Sequence, residues 1–440
     1  MNAQLATNIP GIRDDPTLPD LLDVDAAIVR IGRKIRVLDA IAWPAALEDR
    51  FLGGYRANRM ELPHPQLQPQ DLDKEIAELA LLSKRLDRGH PLGNWLYKTA
   101  WSYRVAAHML RGIGTPAFTR CSTLLYGRPD TYYRGQQSCA ADAAKEMLHV
   151  TDALVEPGMV PPVPCDIPAP EFAQRLRQRI DPFFTQDRVE VVLEPALASK
   201  AAAGSKRITL RASALFSELD IEQLVQHEAF IHTATLLNGK HQPWLQCLGV
   251  GAPRTTRTQE GLATFSEIIT GAIDIARLRR IALRVLAVRD ALAGADCIDV
   301  FRFFLEAGQT EVESYRSAAR IFRGGDVHGG ACFTKDGAYL EGVLIVHFFV
   351  RKALQERQAT VLRMLFTGRL TTGDIVALAP YRETGLIAPP TYVTPWAREP
   401  QRVLAILAFS AAAQQFRLDQ FDLQRMVDSE DEVIADSGID

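Results

Sequence analysis

Two histidines and two glutamates form the part of the sequence best suited to chemistry. His227 and Glu228 are adjacent, His232 follows four residues after Glu228, and Glu260 lies 28 residues beyond His232. Two imidazoles and one carboxylate suit Zn²⁺ and leave a fourth position for water. A glutamate that directly follows a ligating histidine can take the proton of that water. The residue types therefore predict a zinc hydrolase site.

The spacing of the two histidines differs from the common zinc-protease pattern. In His-Glu-x-x-His, the histidines are four residues apart, which places them one helical turn apart. Here they are five residues apart, so their rings would diverge by about 140° in a regular α-helix. A π-bulge absorbs one extra residue and restores a common face. We therefore predict a π-bulge between His227 and His232.

Two helices are predicted to position these side chains. Apolar residues recur at helical spacing over 221–225, with Asp220 as the N-cap. Thr258 is predicted to cap a second helix, which places Glu260 in its first turn. His241, in the turn-rich connection between them, is a weaker ligand candidate because no clear helix presents it.

Two short β-branched runs, 189–193 and 207–211, precede the first helix and predict a small sheet beside it. An edge strand of this sheet could pair with an extended peptide substrate through main-chain hydrogen bonds. A plain hairpin that covers a core is equally consistent with the pattern.

A glycine-rich loop further along the chain carries many hydrogen-bond donors. Its glycines allow close backbone approach to a ligand, and Arg323 and Lys335 could clamp a substrate carboxylate. Tyr339 or His328 could donate to the oxyanion formed during hydrolysis, and His328 could instead contact the substrate. The alternative is a structural loop whose charged residues are solvated or pair with nearby acids, which are Asp326, Asp336 and Glu341.

These motifs resemble a known family. The string QEGLA at 259–263, with HExxxH upstream, resembles the QEGLA-motif proteins, which are named flavohaemoglobin expression-modulating proteins in bacteria and are similar to the animal microtubule-associated tyrosine carboxypeptidases. The resemblance covers most of residues 95 to 400. Its other motifs are LYGRP at 125–129, RGG at 323–325, FTKD at 333–336 and YLEG at 339–342.

The resemblance implies a role for each residue of the site. His227, His232 and Glu260 would bind zinc, and Glu228 would act as the general base. The family implies a metallopeptidase that acts at the C-terminus of a peptide or protein. The tubulin tail, which is the substrate of the animal members, does not follow automatically for this chain.

Composition indicates an ordinary globular protein. The chain has 440 residues, of which 47% are hydrophobic and 23% charged, and its formal charge is −3. That charge gives no broad basic field, so neither nucleic acid nor an acidic membrane is predicted as a partner. No uninterrupted apolar run reaches membrane-spanning length. The six scattered cysteines predict reduced thiols and a cytoplasmic location.

The predicted fold is α+β and mostly helical, with a zincin-like metallopeptidase core, a small sheet beside the HExxxH helix and a surrounding helical bundle. Residues 1–22 are predicted to form a disordered tail and 23–160 a helical N-terminal part. Residues 161–425 would form the catalytic part, after a proline-rich linker, and 426–440 an acidic disordered tail.

Two alternatives to a zinc carboxypeptidase stay open at this point. An endopeptidase or aminopeptidase could use the same ion without a carboxylate clamp. A regulatory protein could hold the zinc as a structural ion, although such a site is usually closed by a fourth protein ligand and has no need of Glu228. The sequence leaves the oligomeric state and the specific substrate open.

Overall fold

A computed structural model of the chain describes residues 15–133, 137–155, 161, 163–195, 197 and 199–413. Within these ranges, helices dominate and five short strands form two small sheets. The prediction of a mostly helical α+β fold is therefore confirmed. By internal contacts the chain divides into two compact units, Met1–Thr394 and Pro395–Asp440.

The N-terminal part of the first unit is helical, as predicted. Its helices begin at residues suited to helix starts: Pro91 and Pro116 occupy first-turn positions, and the Thr115 hydroxyl accepts a hydrogen bond from the N–H of Ala117 at 3.2 Å. The helices are α1 (Leu18–Gly32), α2 (Val37–Ala40), α3 (Ala46–Arg56), α4 (Asp73–Lys84), α5 (Pro91–Arg111), α6 (Pro116–Tyr126) and α7 (Ala140–Leu154).

The predicted boundaries need correction. Helix α1 begins at Leu18, and its first apolar residues are buried, so the predicted tail does not extend to residue 22. The predicted division between residues 160 and 161 lies inside the first unit, and the predicted catalytic part, 161–425, crosses into the second. Residues 1–14 and the predicted acidic tail, 426–440, lie outside the described residues.

A three-stranded sheet lies beside the histidine-bearing segment. Its order is β2–β4–β3, with β2 parallel to β4 and β3 antiparallel to β4. The two predicted runs therefore do not form a hairpin, because a third strand lies between them in sequence and pairs with the other side of β4. The strands are β1 (Ile167–Pro168), β2 (Glu190–Glu194), β3 (Ala201–Ala203), β4 (Arg207–Arg211) and β5 (Leu215–Phe216), with helix α8 (Ala169–Ile180) after β1.

This sheet packs on α8 and on the segment that carries the histidines. Val191, Ile208 and Leu210 share one buried apolar cluster with Val225 and Ala229. The Thr233 hydroxyl also donates a hydrogen bond of 3.0 Å to the carbonyl oxygen of Gly204, directly after β3. The predicted placement of a small sheet beside the HExxxH helix is therefore confirmed.

The helix that leads to the histidines begins with a capping box. The Ser217 hydroxyl accepts a hydrogen bond from the N–H of Asp220 at 3.3 Å, and the Asp220 carboxylate accepts one from the N–H of Ser217 at 2.7 Å. Ser217 is therefore the N-cap, and the prediction of Asp220 in that position is wrong. The helix α9 (Glu218–Leu224) is short and runs directly into a different type of helix.

Residues Val225–Thr233 form a π-helix, which then continues as α10 (Ala234–Lys240). In a π-helix, hydrogen bonds join residues five apart, so residues five apart share a face. His227 and His232 have this spacing, and their ring centroids are 4.7 Å apart. The predicted bulge is confirmed, although it extends over nine residues rather than one turn.

The second motif helix, α11 (Thr256–Thr270), follows a 3₁₀ turn over Pro253–Thr255. Thr258 lies inside this helix and is buried, so the prediction that it caps the helix is wrong. Glu260 consequently lies in the second turn rather than in the first.

The glycine of QEGLA allows two helix backbones to touch. A Cβ atom at Gly261 would lie 2.2 Å from the carbonyl group of Gly342, and one at Gly342 would lie 2.1 Å from the carbonyl oxygen of Arg257. Such distances are too short for any side chain. The contact joins α11 to helix α15 (Ala338–Gln355) and so fixes Glu260 relative to the residues around Tyr339.

Gly261→Ala is expected to lower the free energy of unfolding by at least about 1–3 kcal/mol, because an added methyl group in a tight backbone contact forces the helices apart. Chemical denaturation followed by far-UV circular dichroism measures this loss. Gly53→Ala is the matched control, since a Cβ atom at Gly53 meets no atom within 4 Å; that change in α3 should be neutral or slightly stabilising. Equal stability of the two variants would contradict the packing role.

Phe301, Phe304 and Phe322 are fully buried in one apolar cluster that includes residues of the helices between 275 and 322. The remaining described helices belong to two units. They are α12 (Ile275–Ala293), α13 (Cys297–Glu306), α14 (Glu311–Phe322), α16 (Ala359–Met364) and α17 (Thr372–Leu378) in the first unit, and α18 (Pro395–Arg398) and α19 (Gln401–Ala413) in the second.

Two further observations bear on the predictions from composition. All six cysteines lie within the described residues, and each is free. Every described helix is too short or too polar to span a lipid bilayer.

Candidate metal centre

Three side chains from two helices converge at one point. The Nε2 atoms of His227 and His232 each lie 3.5 Å from the same oxygen, Oε2 of Glu260. One ligand atom from each residue lies within 4.8 Å of the others, so this group could hold a metal ion. The structure thus brings together the three residues predicted as ligands, two from the π-helix and one from α11.

The spacing and burial of these atoms fit zinc. Ligand atoms bound tetrahedrally to one Zn²⁺ at about 2.0–2.1 Å lie about 3.3–3.5 Å apart, which agrees with the 3.5 Å separations here. Oε2 of Glu260 is also buried and has no hydrogen-bond partner among the described residues. A buried carboxylate oxygen without a partner is costly, and a cation between the three side chains would satisfy it.

A second carboxylate orients the first histidine. Oε1 of Glu267, a fully buried residue, lies 2.5 Å from Nδ1 of His227 and 2.7 Å from Nη2 of Arg277. Burial lowers the pKa of His227, but Glu267 and Glu260 outweigh it and raise that pKa to about 10. A hydrogen bond on Nδ1 leaves Nε2 to face a metal ion. Glu267 therefore fits the supporting role that such carboxylates have behind metal-binding histidines.

Glu267→Gln is expected to weaken zinc binding by about 10- to 100-fold, because the amide is a poorer acceptor for the Nδ1 proton and makes the imidazole a weaker ligand. Competition with a chromophoric chelator measures the change. Asp274→Asn is the matched control, since the described hydrogen bond of Asp274 goes to the backbone N–H of Arg277 at 2.7 Å. A Glu267→Gln protein with the parent's zinc affinity would rule out the orienting role.

Glu228 lies on the same π-helix, next to the candidate ligand His227, and is partly exposed. The surrounding charges show what it faces. Its carboxylate contributes to the raised pKa of Arg277, which Glu267 also raises against the effect of burial. It is not one of the three residues that form the candidate ligand group.

Arg369 is a cation of the site that the sequence did not indicate. Its Nη2 donates a hydrogen bond of 3.0 Å to the backbone carbonyl oxygen of His232, and its Nε is buried without a hydrogen-bond partner among the described residues. Burial lowers the pKa of Arg369 to about 10, against the opposing effect of Glu260 and Glu228. The guanidinium thus ties a carbonyl of the π-helix to the segment after α16.

Lys335 and Tyr339 lie directly against the ligand group. The Nζ of Lys335 is 2.8 Å from Oε1 of Glu260 and 5.1 Å from the centre of the Tyr339 ring. That ring lies nearly parallel to the His227 ring, with 6.5 Å between centroids. Lys335 is therefore engaged by a candidate ligand in this structure, whereas the sequence predicted contact with the substrate.

Arg323 and His328, the two other residues predicted to contact the substrate, lie in different environments. Arg323 stacks its guanidinium 5.3 Å from the ring centre of Phe333, and its buried Nε has no hydrogen-bond partner among the described residues. His328 is exposed and pairs with Asp326 at 2.8 Å. The next residue, Gly329, lies against Gly294 at the end of α12, about 25 Å along that helix from Arg277. The structure therefore does not bring His328 to the metal centre, and it is no longer a candidate there.

Two other expectations can be compared with the structure. His241 pairs with Asp187 at 3.1 Å, so it takes no part in the ligand group. Glu267 was missed from the sequence, although it follows Glu260 by seven residues and therefore lies on the same face of α11. No spacing pattern in the sequence singles out Arg277 or Arg369.

Comparison with known proteins places this centre in a family. Among curated proteins there is no match. A family model described as microtubule-associated tyrosine carboxypeptidase matches residues 54–415, a range that contains every residue of the centre. The resemblance drawn from the QEGLA motif is thereby confirmed, and the chain belongs to the microtubule-associated tyrosine carboxypeptidase family.

Proposed function

We propose that this protein is a zinc-dependent carboxypeptidase that removes the C-terminal residue of a peptide or protein. One observation carries the proposal: two histidine Nε2 atoms lie 3.5 Å from one buried carboxylate oxygen that has no other partner in the described chain. The family to which the chain belongs is described as a tyrosine carboxypeptidase, which supports peptide hydrolysis at a C-terminus. Catalytic zinc sites commonly combine three protein ligands with one open position, and this ligand group has three members.

His227, His232 and Glu260 would hold the ion. When bound there, zinc would supply a water of lowered pKa and would polarise the peptide carbonyl. Glu228 accepts the proton from the attacking water and then donates it to the leaving amine. Glu267 holds the His227 ring in place through Nδ1. Tyr339 would donate a hydrogen bond to the developing oxyanion, a role supported by its ring lying 6.5 Å from that of His227.

The sheet offers a surface for the substrate main chain. Strand β3 ends the order β2–β4–β3 and lies next to the π-helix, so its outer edge pairs with no other strand in the described part of the chain. An extended peptide could add to this edge through backbone hydrogen bonds. The zincin-like core and the cytoplasmic location stay predictions alongside this proposal.

Mass spectrometry of a mixed peptide library tests the proposal. The zinc-loaded protein and the same protein treated with a chelator are incubated with peptides in parallel. Loss of single C-terminal residues, only with the zinc-loaded protein, is the expected result. Internal cleavage would favour an endopeptidase, and loss of N-terminal residues an aminopeptidase. An intact library, despite stoichiometric zinc, would count against the enzyme and favour the regulatory alternative.

A further inference from the structure

Three arginines surround one buried carboxylate beside the metal centre: Arg284 comes from α12, and Arg320 and Arg323 come from the C-terminal end of α14. Arg320 makes two hydrogen bonds to Asp336, of 2.7 and 2.6 Å. The Nε of Arg284 lies 3.8 Å from the same carboxylate, which is beyond hydrogen-bond distance. Arg323 also contributes to the lowered pKa of Asp336, after the larger effect of Arg320 has outweighed burial. We call Arg284, Arg320 and Arg323 the arginine cluster.

The arginine cluster carries more positive charge than its surroundings balance. Asp336 is 1% exposed and offers one negative charge to three guanidinium groups, which leaves a formal excess of two. The Nε atoms of both Arg284 and Arg323 are buried and lack a hydrogen-bond partner among the described residues. Burying donors without acceptors costs free energy unless a ligand supplies the acceptors.

The pKa values report the same imbalance. The Asp336 carboxylate outweighs burial and raises the pKa of Arg320. Burial instead lowers the pKa of Arg284 to about 9 and that of Arg323 to about 10, in each case with a further lowering by Arg320. Asp336 is therefore hydrogen-bonded to Arg320 and lies 3.8 Å from Arg284, so one carboxylate serves more than one guanidinium group.

The arginine cluster adjoins the reacting centre. Asp336 directly follows Lys335, which binds the candidate ligand Glu260 at 2.8 Å. Tyr339 contributes to the pKa shifts of all three arginines, and its ring also faces His227. The side chain of Arg284 retains 18% exposure, so a ligand can reach it from solvent. Lys335 and Asp336, which are adjacent in the chain, therefore connect the ligand group to the arginine cluster.

We propose that Arg284 acts together with Arg323 to bind the α-carboxylate of the substrate's C-terminal residue, while Lys335 holds Glu260. This inference rests on the proposed carboxypeptidase function and specifies how the enzyme recognises a chain end. Guanidinium groups match the planar geometry of carboxylates and form charge-assisted hydrogen bonds with them. Arg320 and Asp336 position Arg284 and Arg323, whose Nε atoms have no hydrogen-bond partner among the described residues.

The charge of the substrate's C-terminus should decide whether the arginine cluster binds it. A free carboxylate supplies charged acceptors to Arg284 and Arg323, whose Nε donors lack partners among the described residues. A C-terminal amide supplies no charge and leaves buried donors poorly satisfied. A site built around such donors strongly rejects ligands that lack the matching acceptor. The arginine cluster would therefore restrict the enzyme to free chain ends.

Binding to an inactive protein tests this separately from catalysis. The background variant is Glu228→Gln, and the probe is fluorescein-labelled Ala-Ala-Ala-Ala-Tyr, prepared as the free acid and as the C-terminal amide. Fluorescence anisotropy is expected to give about 10- to 100-fold tighter binding of the free acid. Adding Arg284→Gln should weaken binding of the free acid about tenfold or more and leave the amide unchanged. Adding Arg289→Gln, which removes an arginine paired with Asp290 further along α12, should change neither affinity.

Other outcomes would overturn the inference. These are equal binding of the two peptides, no binding of either, or an Arg284→Gln change that weakens both peptides equally. Arg284→Lys should recover part of the preference, because it keeps the charge but loses the planar fork. The two proposals can fail independently: a wild-type protein that cleaves the library, with no preference between acid and amide here, would overturn only the arginine-cluster proposal. A preference without any hydrolysis by wild type would overturn only the proposed chemistry.

Discussion

A Glu228→Gln protein is expected to bind zinc as the parent does and to hydrolyse peptides about 10²- to 10⁴-fold more slowly. The reason is that different residues are proposed to bind the metal ion and to transfer the proton. His227, His232 and Glu260 form the ligand group, and Glu228 stands outside it. An amide in place of the Glu228 carboxylate has nearly the same shape, but it cannot accept a proton from water at neutral pH. Zinc binding should therefore survive while proton transfer is lost.

The measurement combines elemental analysis with kinetics. Zinc stoichiometry by mass spectrometry of the metal establishes that the ligand group is intact, and kcat on a peptide cleaved by wild type reports the chemistry. Glu222→Gln is the matched control: Glu222 lies six residues earlier, accepts a hydrogen bond of 3.2 Å from Gln226 and pairs with Arg179 at 2.6 Å. It should keep near-parental kcat. Turnover by zinc-loaded Glu228→Gln within about threefold of wild type would remove Glu228 as the base.

The candidate ligand group could be predicted from the sequence because most of its members are close together in the chain. Both histidines and Glu228 lie within six consecutive residues, so helical geometry alone relates their directions. The unusual five-residue spacing even predicted the π-helix, because two rings can share one ion only if they share a face. Glu260 required more than spacing, and the QEGLA resemblance supplied it. Local geometry and motif together were sufficient for the first layer of the site.

The next layer could not be predicted in the same way. Arg369 reaches the carbonyl of His232 across 137 residues of sequence, and Arg284 meets Asp336 only because α12 packs beside the turn that carries Asp336. No periodicity relates positions this far apart. Such contacts depend on tertiary packing, and in the sequence an arginine of this kind looks like any solvated charge on a helix.

The sequence identified Lys335 as a residue near the site but did not identify its partner. Its type and its place in a glycine-rich loop indicated a donor near the substrate, but they did not indicate which carboxylate it would meet. In the structure that carboxylate belongs to Glu260, whose pKa is lowered by Lys335 and both histidines against the effect of burial. Lys335 therefore pairs with a candidate ligand, and the proposed carboxylate-binding role moves from Lys335 to Arg284, together with Arg323.

The charge balance of the arginine cluster leads to a second large effect. Asp336→Asn is expected to lower the free energy of unfolding at pH 7 by about 3–5 kcal/mol, because it removes the negative charge from a buried, hydrogen-bonded pair. Arg320 would lose its two charge-assisted hydrogen bonds of 2.6 and 2.7 Å. Three guanidinium groups would then face one another without a counter-charge. Chemical denaturation at several pH values measures the loss.

The stabilisation that Asp336 provides should depend on pH. The arginines hold the pKa of Asp336 below its ordinary value of 3.8, so its stabilisation is complete at neutral pH and declines only as the pH falls below about 4. The difference in the free energy of unfolding between the parent and Asp336→Asn should therefore become smaller only at acidic pH. Asp326→Asn is the matched control, since Asp326 is 45% exposed and pairs with the exposed His328; its effect should stay within about 0.5 kcal/mol.

Added anions separate this electrostatic explanation from a simple loss of packing. If excess positive charge destabilises Asp336→Asn, then sulfate should bind among the unpaired guanidinium groups and stabilise the folded state by mass action. Sulfate should consequently raise the unfolding midpoint of Asp336→Asn more than that of the parent or of Asp326→Asn. A stability loss below about 1 kcal/mol, or an equal sulfate effect on all three proteins, would show that the three arginines do not depend on Asp336 for their charge balance.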